Sequence, residues 1–200
     1  MQATILRNDR GRKYLTQKER VAFFKGALRL EPYSASFCLT LLFTGCRISE
    51  AIHLKPEQLD PGESVVVIET LKQRKSGIFR AVPVPYQLLE FIPAWNPGER
   101  IWSFSRTTAY RLVRLVMEDI SLHGPQACPK GLRHGFGVAC VEKEIPLNKI
   151  SKWMGHAKIE STGIYLNVVG EEERRLADRL WRDFNLDPLF NHANLKIETK

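Results

Sequence analysis

The residues with the clearest potential for chemistry are a histidine and a tyrosine towards the end of the chain. His156 follows Gly155 at a predicted turn, and Tyr165 comes nine residues after the histidine. Two arginines, Arg47 and Arg133, stand far upstream of this pair. A planar guanidinium binds phosphate through two parallel hydrogen bonds, and a tyrosine hydroxyl can attack phosphorus as a nucleophile. Most single histidines and tyrosines are structural, but this combination of residue types predicts a phosphodiester substrate.

A basic segment offers the proton donor that such a reaction needs. Leu71–Gly77 carries Lys72, Arg74 and Lys75 between two predicted strands. A lysine whose pKa is lowered by neighbouring cations can protonate the leaving oxygen of a phosphodiester. The sequence of the segment leaves all three cations as candidates, and a solvated turn is the structural alternative.

The composition favours a partner that carries negative charge. The 200 residues include 30 Lys and Arg against 22 Asp and Glu, which gives a formal net charge of +8. This excess is spread along the chain, so it favours nucleic acid over a membrane surface. No stretch approaches the roughly 18 apolar residues of a membrane span. The four cysteines lack Cys-x-x-Cys spacing, so we expect buried thiols in a cytoplasmic, nucleoid-associated protein.

Helical patterns dominate the elements that must position these residues. Thr16, with Glu19 three residues later, predicts a capping box at the first helix. Ser64–Glu69 and Ile78–Val84 are rich in β-branched residues and predict two strands joined by the basic segment. A helix beginning near Ser105 has one basic, hydroxyl-bearing side, which either faces solvent or lies on DNA. The predicted fold is mainly α with a small antiparallel β-sheet.

Two further segments complete a resemblance to a known family. They are Gly45-Cys46-Arg47-Ile48-Ser49-Glu50 and Lys130-Gly131-Leu132-Arg133-His134. With Lys75 and the segment from Gly155 to Tyr165, they resemble the catalytic set of the tyrosine recombinases (phage integrase family) over roughly Tyr14 to Trp181. Glu50 can also pair with Arg47 as a purely structural ion pair.

The resemblance implies a catalytic domain over residues 14–184, preceded by a basic arm (1–13) and followed by a tail (185–200). Such a chain is similar to the short recombinases that lack a core-binding domain, including the fimbrial DNA-inversion enzymes. A predicted amphipathic helix over Glu171–Phe184 would pack on a neighbouring protomer or cover its own domain.

The implied activity is site-specific DNA recombination through a covalent 3′-phosphotyrosyl intermediate, with no metal and no cofactor. The partners would be double-stranded DNA and other copies of the protein, up to a synaptic tetramer, in a prokaryote or a mobile element. Integration, excision, inversion and resolution all remain open as products.

The residues that the resemblance implies fall into a catalytic group and a DNA-binding group. The catalytic group comprises Arg47, Lys75, Lys130, Arg133, His156 and Tyr165. The DNA-binding group comprises Arg74, Arg106, Thr107, Arg111, Arg114 and His134. Lys75 is preferred as the general acid because it stands eight residues before Pro83, which is the family's spacing.

One position departs from the family pattern. The family usually has His-x-x-Arg where this chain has Lys130-Gly131-Leu132-Arg133. Lysine at this position resembles the type IB topoisomerases, and a charged lysine is a poor base. The residue that takes the tyrosine proton therefore stays open. The alternative functions are a type IB-like topoisomerase and a catalytically inactive DNA-binding accessory protein of the same fold.

Overall fold

Helices make up most of the chain that the computed structural model describes, which comprises residues 7–8, 11–71, 77–93 and 99–166. In chain order they are α1 (Gln17–Ala27), α2 (Pro32–Thr44), α3 (Ile48–Ala51), α4 (Tyr86–Phe91), α5 (Arg106–Asp119), α6 (Pro129–Glu142), α7 (Leu147–Met154) and α8 (Glu160–Gly163). Short 3₁₀ turns cover Pro56–Gln58 and Ile164–Leu166. Among these described residues, no helix has the length and apolarity to cross a bilayer.

Two small antiparallel sheets accompany the helices. One pairs β1 (Arg7–Asn8) with β2 (Gly11–Arg12). The other has the order β3–β4–β5, with β3 at Leu59–Asp60, β4 at Val65–Glu69 and β5 at Phe79–Pro83. Strands β4 and β5 confirm the two predicted strands, and the mainly helical fold is also confirmed. Strand β3 escaped prediction because two residues show no alternation.

Helix α2 lies at the centre of the hydrophobic core. It contacts α1, α4, α5 and α6, and every side chain from Ala35 to Leu42 is buried. A helix that is apolar all round belongs inside a protein. Phe37 packs edge-on against Trp102, whose indole Nε1 donates to Ser36 Oγ at 3.1 Å. The polar groups of this core are thus paired as burial requires.

Local signals at the helix ends behave as the sequence predicts. The capping box of α1 is confirmed, because Thr16 Oγ1 accepts from the Glu19 amide at 3.3 Å while Glu19 Oε2 accepts from the Thr16 amide at 2.7 Å. Helix α2 ends at Gly45 with φ of 60°. A Cβ at Gly45 would lie 2.4 Å from the Phe136 ring, so both conformation and space require glycine. Arg47 follows directly from this turn.

The expectations for cysteines and chain ends meet different outcomes. Cys38, Cys46 and Cys140 are buried free thiols as predicted, whereas Cys128 is partly exposed because it precedes α6 at the cleft described below. In the predicted arm, Arg12 Nη1 donates to Glu19 Oε2 at 2.6 Å. The predicted helix over Glu171–Phe184 and the tail lie outside the described residues.

Removing the first helix cap should destabilise the fold without touching the cleft. We expect Thr16→Ala to lower the free energy of unfolding by about 1 kcal/mol, since the first-turn amide loses its acceptor. Thr16→Ser keeps the oxygen and should stay close to the parent protein. Urea denaturation measures both variants, and equal losses in the two would contradict the role of the hydroxyl.

Candidate active site

A cleft of about 940 Å³ brings the predicted catalytic residues together. Its lining includes Arg47, Lys130, Arg133, His156 and Tyr165. The start of α3, the first turns of α6 and the segment after α7 therefore meet at one place. Lys75, the sixth predicted catalytic residue, lies in the segment 72–76 outside the described residues.

Arg47 is held at the start of α3 by the carboxylate of Glu50. One carboxylate oxygen of Glu50 accepts from the Arg47 amide at 2.9 Å, and the other accepts from Arg47 Nη1 at 2.7 Å. The predicted pairing of these two residues is confirmed. The Arg47 side chain keeps 27% exposure while Glu50 keeps none, so the guanidinium is oriented from behind and remains open to the cleft.

A second arginine, Arg80 of β5, shares the same carboxylate. Arg80 Nη2 lies 2.6 Å from Glu50 Oε2, and the Arg80 side chain is only 4% exposed. Its other nitrogens donate to Thr70 Oγ1 and to the Trp153 carbonyl, both at 2.8 Å. Burial acts to raise the pKa of Glu50, but Arg80 and the amide of Arg47 outweigh it and hold that pKa below its usual value. Glu50 is therefore an ionised anchor for two arginines.

The turn before His156 closes around the Arg80 side chain. Gly155 ends α7 with φ of 63°, and a Cβ there would lie 2.8 Å from the guanidinium carbon of Arg80. Only glycine suits both the left-handed conformation and this close approach. Strand β5 thus fixes the place from which His156 enters the cleft.

Arg133 joins the ends of two helices. Its Nη1 donates to the Gly45 carbonyl and its Nη2 to the Met154 carbonyl, each at 2.7 Å. These carbonyls lie at the C-terminal ends of α2 and α7, where the helix dipole places partial negative charge. Burial, reinforced by the nearby charge of Arg47, lowers the pKa of Arg133 to about 10. The guanidinium therefore stays protonated at neutral pH.

Tyr165 is buried in the floor of the cleft with only 1% of its surface exposed. Its hydroxyl lies 3.0 Å from Nδ1 of His134. A Cβ at Gly137 would lie 2.6 Å from the Tyr165 ring, so glycine on α6 makes room for the ring. Burial raises the pKa of Tyr165 to about 12, against the opposing charges of Arg133 and Arg47. The phenol is therefore neutral at physiological pH.

His156 is positioned by a threonine of α8. Its Nδ1 lies 2.7 Å from Oγ1 of the fully buried Thr162. The imidazole stacks on the Tyr165 ring, with centroids 6.3 Å apart and planes 15° apart. Burial, with the charge of Arg133, lowers the pKa of His156 to about 4. The ring is therefore neutral at neutral pH, with one nitrogen occupied by Thr162.

The chain matches known proteins over most of its length. The model of the phage integrase family covers residues 13–172. This chain belongs to the phage integrase family. Tyrosine recombinase XerA of Thermococcus onnurineus is 27% identical over 155 residues, which cover 70% of this chain and 53% of XerA. Type 1 fimbriae regulatory protein FimE of Escherichia coli K12 is 27% identical over 175 residues, which cover 77% of this chain and 85% of FimE.

The fold of this integrase family member is shared with a solved recombinase. The crystal structure of XerH site-specific recombinase bound to difH substrate matches it with a TM-score of 0.68 and 18% sequence identity. The match covers 84% of this chain and 54% of XerH. The chain thus spans about half the length of the XerA and XerH proteins it resembles.

The predicted DNA-binding residues of this family member occupy different surroundings. Arg106, Thr107 and Arg111 are exposed on α5, and Arg106 also lines the cleft. Arg114 donates to the Ala127 carbonyl at 2.5 Å and pairs with a glutamate one turn away, so its charge is partly used within the protein. Arg74 lies outside the described residues.

His134 differs most from its predicted setting. The sequence suggests contact with DNA, but the side chain is only 8% exposed and lies against Tyr165. The reason is that α6 is buried along most of its length, from Gly131 to Val138. His134 therefore lines the cleft as a buried neighbour of the candidate nucleophile, and its contact with DNA stays a prediction.

Three positioning residues were missed by reading the sequence. They are Arg80, Thr70 and Thr162, which hold Glu50, Arg80 and His156 respectively. One signal could have revealed Arg80, because it alternates with Val82 on the buried side of β5 and with Val84 just after the strand. A charge on an apolar strand face needs a buried partner. Nothing in the local sequence distinguishes either threonine.

Acid should destabilise the folded chain through the buried imidazole of His134. Burial, with the charges of Lys130, Arg133 and Lys13, lowers the pKa of His134 from 6.5 to about 4. Between these pH values the unfolded chain binds more protons than the folded one. The free energy of unfolding therefore decreases as the pH is lowered from 6.5 to 4, and His134 contributes at most about 3 kcal/mol to this loss. Glu50, with its lowered pKa, adds a loss of stability that begins only as the pH falls below its usual value of 4.5.

The matched variants His134→Asn and His123→Asn test this origin. Thermal unfolding between pH 7 and pH 4 should lose less stability in His134→Asn than in the parent protein, because one depressed imidazole is gone. His123 is exposed, and its replacement should leave the pH dependence unchanged. Identical pH profiles for both variants would be evidence against the buried imidazole as the source.

Proposed function

We propose that this integrase family member is a site-specific DNA recombinase that cleaves and rejoins strands through a bond between Tyr165 and a 3′ phosphate. The observation that carries the proposal is the shared cleft, in which Tyr165 lies with Arg47 and Arg133. The two arginines are fixed by protein groups on their far sides. A prepositioned cationic pair beside a buried hydroxyl suits attack on a phosphodiester.

The proposed reaction divides its tasks among the cleft residues. Arg47 and Arg133 bind the non-bridging oxygens and stabilise the charge that they gain in the transition state. Tyr165 attacks phosphorus, and the 5′ oxygen of the DNA leaves. The ester that forms conserves the energy of the broken bond, so a second DNA end can reverse the step without ATP. Because arginines supply the positive charge, the reaction needs no metal or cofactor.

His156 suits the role of a neutral hydrogen-bond donor. Nδ1 lies 2.7 Å from the Thr162 hydroxyl, and in the tautomer in which Nδ1 accepts from that hydroxyl, Nε2 carries the proton and can donate to a phosphoryl oxygen. The low pKa of this imidazole keeps it in the neutral form. A threonine hydroxyl can donate or accept, so the contact with Thr162 is compatible with the tautomer that the reaction requires.

Double-stranded DNA and further copies of the chain are the proposed partners. The XerH match was solved with its difH substrate bound, which supports DNA as the substrate of a protein with this fold. Arg106 and Arg111 are both exposed on α5 and can contact DNA phosphates beside the cleft. Exchange of two strand pairs needs four nucleophiles, so we propose a tetramer on paired sites.

A type IB-like topoisomerase remains the second candidate because Lys130 lines the cleft. Supercoiled plasmid separates the two functions. A topoisomerase relaxes plasmid of any sequence, whereas a recombinase exchanges strands between paired sites. A third candidate, an inactive DNA-binding protein of the same fold, would form no covalent adduct with any DNA.

Replacing the nucleophile should abolish adduct formation and spare DNA binding. We expect Tyr165→Phe to fold and bind DNA but to form no covalent complex, because phenylalanine lacks the attacking oxygen. Tyr110→Phe is the matched control, since Tyr110 lines the same cleft. DNA that stays attached after denaturation is recovered from the host and sequenced, and the recovered site is then rebuilt as a nicked duplex.

The nicked duplex makes the measurement quantitative. A nick placed near the cleavage point makes the fragment that carries the released 5′ hydroxyl short enough to diffuse away. Without that hydroxyl the step cannot reverse, so the protein–DNA ester is trapped. The parent protein and Tyr110→Phe should accumulate it and Tyr165→Phe should not. Adduct formation by Tyr165→Phe would overturn the nucleophile assignment, and no adduct with the parent protein would overturn the proposed reaction.

The assignment of Lys75 as the general acid predicts a specific rescue. An alkoxide leaves phosphorus poorly without a proton, whereas a bridging 5′ sulfur leaves as a thiolate without help. Lys75→Ala should therefore slow cleavage of the normal nicked duplex by roughly 10²–10⁴-fold and recover most of this loss on the 5′-sulfur duplex. Arg133→Ala should not recover as fully, because it acts on non-bridging oxygens.

Rescue of a neighbouring variant would identify a different acid. Lys72→Ala and Arg74→Ala are the matched controls within the same segment. Recovery in either one, rather than in Lys75→Ala, would show that the predicted register of the segment is wrong. Absence of recovery in all of them would remove the proton donor from this segment.

Salt dependence should distinguish two arginines of α5. Arg111 is exposed, whereas Arg114 is bound to Ala127 and Glu118. We expect Arg111→Ala to reduce the slope of log affinity against log salt by roughly 0.9, the value for one phosphate contact. Arg114→Ala should chiefly lower stability. An unchanged slope for Arg111→Ala, measured by fluorescence anisotropy, would exclude that contact.

A further inference from the structure

The hydroxyl of Tyr165 has a specific neighbour for its proton. Within the described part of the chain, its side-chain hydrogen bond runs to Nδ1 of His134 at 3.0 Å. Both side chains are buried, with 1% and 8% of their surfaces exposed. The Tyr165 ring is held in this place by the space above Gly137, so the contact is built into the packing of α6.

The other charged groups at this place can only donate hydrogen bonds. Arg47, Arg133 and Lys130 line the same cleft, and guanidinium and ammonium groups have no acceptor. His156 Nδ1 is paired with Thr162. A phenol in such surroundings directs its proton to the imidazole nitrogen that can accept it, which is Nδ1 of His134.

The position of His134 relative to Lys130 strengthens this inference. The two residues stand four apart on α6, and residues at that spacing lie on the same helix face, one turn from each other. The usual histidine of the His-x-x-Arg pattern is replaced by Lys130, which is charged and exposed. One turn further along the same face, an imidazole meets the tyrosine.

We propose that His134 is the general base that takes the proton of Tyr165 during attack on DNA. This inference rests on the proposed function and adds a catalytic residue to it. The Oη–H bond of Tyr165 breaks as the Oη–P bond forms, and the proton moves to Nδ1 of His134. The P–O5′ bond then breaks and its oxygen takes a proton from the general acid. In the reverse step, the imidazolium returns its proton to the departing phenolate.

This assignment requires His134 to start as the neutral Nε2–H tautomer. Burial disfavours the imidazolium most, and the charges of Lys130 and Arg133 of α6 and of Lys13 in the N-terminal segment act in the same direction. They keep the ring unprotonated, and therefore able to accept, in the free protein. A bound phosphate adds negative charge nearby, which favours the imidazolium as the reaction proceeds.

The test makes the tyrosine more acidic so that it no longer needs a base. His134→Asn keeps an acceptor oxygen near the place of Nδ1 but cannot take up a proton at neutral pH. On the nicked duplex described above, it should slow adduct formation by roughly 10²–10⁴-fold at saturating DNA. When position 165 carries 3,5-difluorotyrosine, whose phenol is far more acidic, the ratio between parent and His134→Asn rates should shrink by about tenfold or more.

Two controls give this shrinkage its meaning. His123→Asn, at an exposed histidine, should leave the rates unchanged with either tyrosine. Lys75→Ala acts on the leaving oxygen, so its defect should persist with difluorotyrosine. A misfolded His134→Asn would not recover when the phenol becomes acidic, and His134→Gln provides a second variant with the same readout if the asparagine lowers the folded fraction.

Each outcome bears on a separate claim. A rate equal to the parent's in His134→Asn, or a defect of the same size with both tyrosines, would overturn the base assignment. A fluorotyrosine-sensitive defect in Lys130→Met instead would assign the base to Lys130. If the parent protein forms no adduct at all, the proposed function fails, and this result is distinct from failure of the base.

Discussion

The carboxylate of Glu50 is the contact on which the geometry of the cleft depends. It is fully buried and binds Arg47 of α3 and Arg80 of β5. Arg80 in turn donates to Thr70, which directly follows β4, and to the Trp153 carbonyl just before the turn to His156. Removing one member of such a buried network leaves the others charged and unpaired, which typically costs 3–5 kcal/mol. One carboxylate therefore fixes a sheet, a short helix and the end of α7 relative to each other.

Among the described residues, the same network carries more positive charge than its single carboxylate neutralises. The charges of Arg47 and Arg80 both act to lower the pKa of Arg133. The carboxylate of Glu50 pairs with Arg47 and Arg80. Burial and this mutual repulsion lower the pKa of Arg133. A phosphate that enters the cleft supplies the missing negative charge, and the guanidinium groups do not need to move because Gly45, Met154 and Glu50 already orient them. Such preorganisation is the main source of electrostatic stabilisation in enzymes.

How much of this site can be predicted depends on whether its signals are local. The capping box at Thr16, the glycine stop at Gly45 and the strands around the basic segment follow from neighbouring residues. The family pattern extends the prediction to residues far apart in sequence. Arg80 binding Glu50 across 30 positions and His134 meeting Tyr165 across 31 depend on tertiary packing instead. The burial of His134 beside Tyr165 has no local signal either, since it follows from the packing of α6 from Gly131 to Val138.

The contact between His134 and Tyr165 also constrains the order of events in the proposed reaction. The phenol has a pKa of about 12 and the imidazole a pKa of about 4. Complete transfer before attack would cost on the order of 10 kcal/mol at about 1.4 kcal/mol per pKa unit. Transfer during attack avoids most of this cost, because the charge leaving the phenol passes to phosphoryl oxygens that face Arg47 and Arg133. DNA binding favours the imidazolium and disfavours the free phenolate. The geometry therefore suits a proton transfer that is concerted with formation of the phosphorus–oxygen bond, and it keeps Tyr165 unreactive until a phosphate is in place.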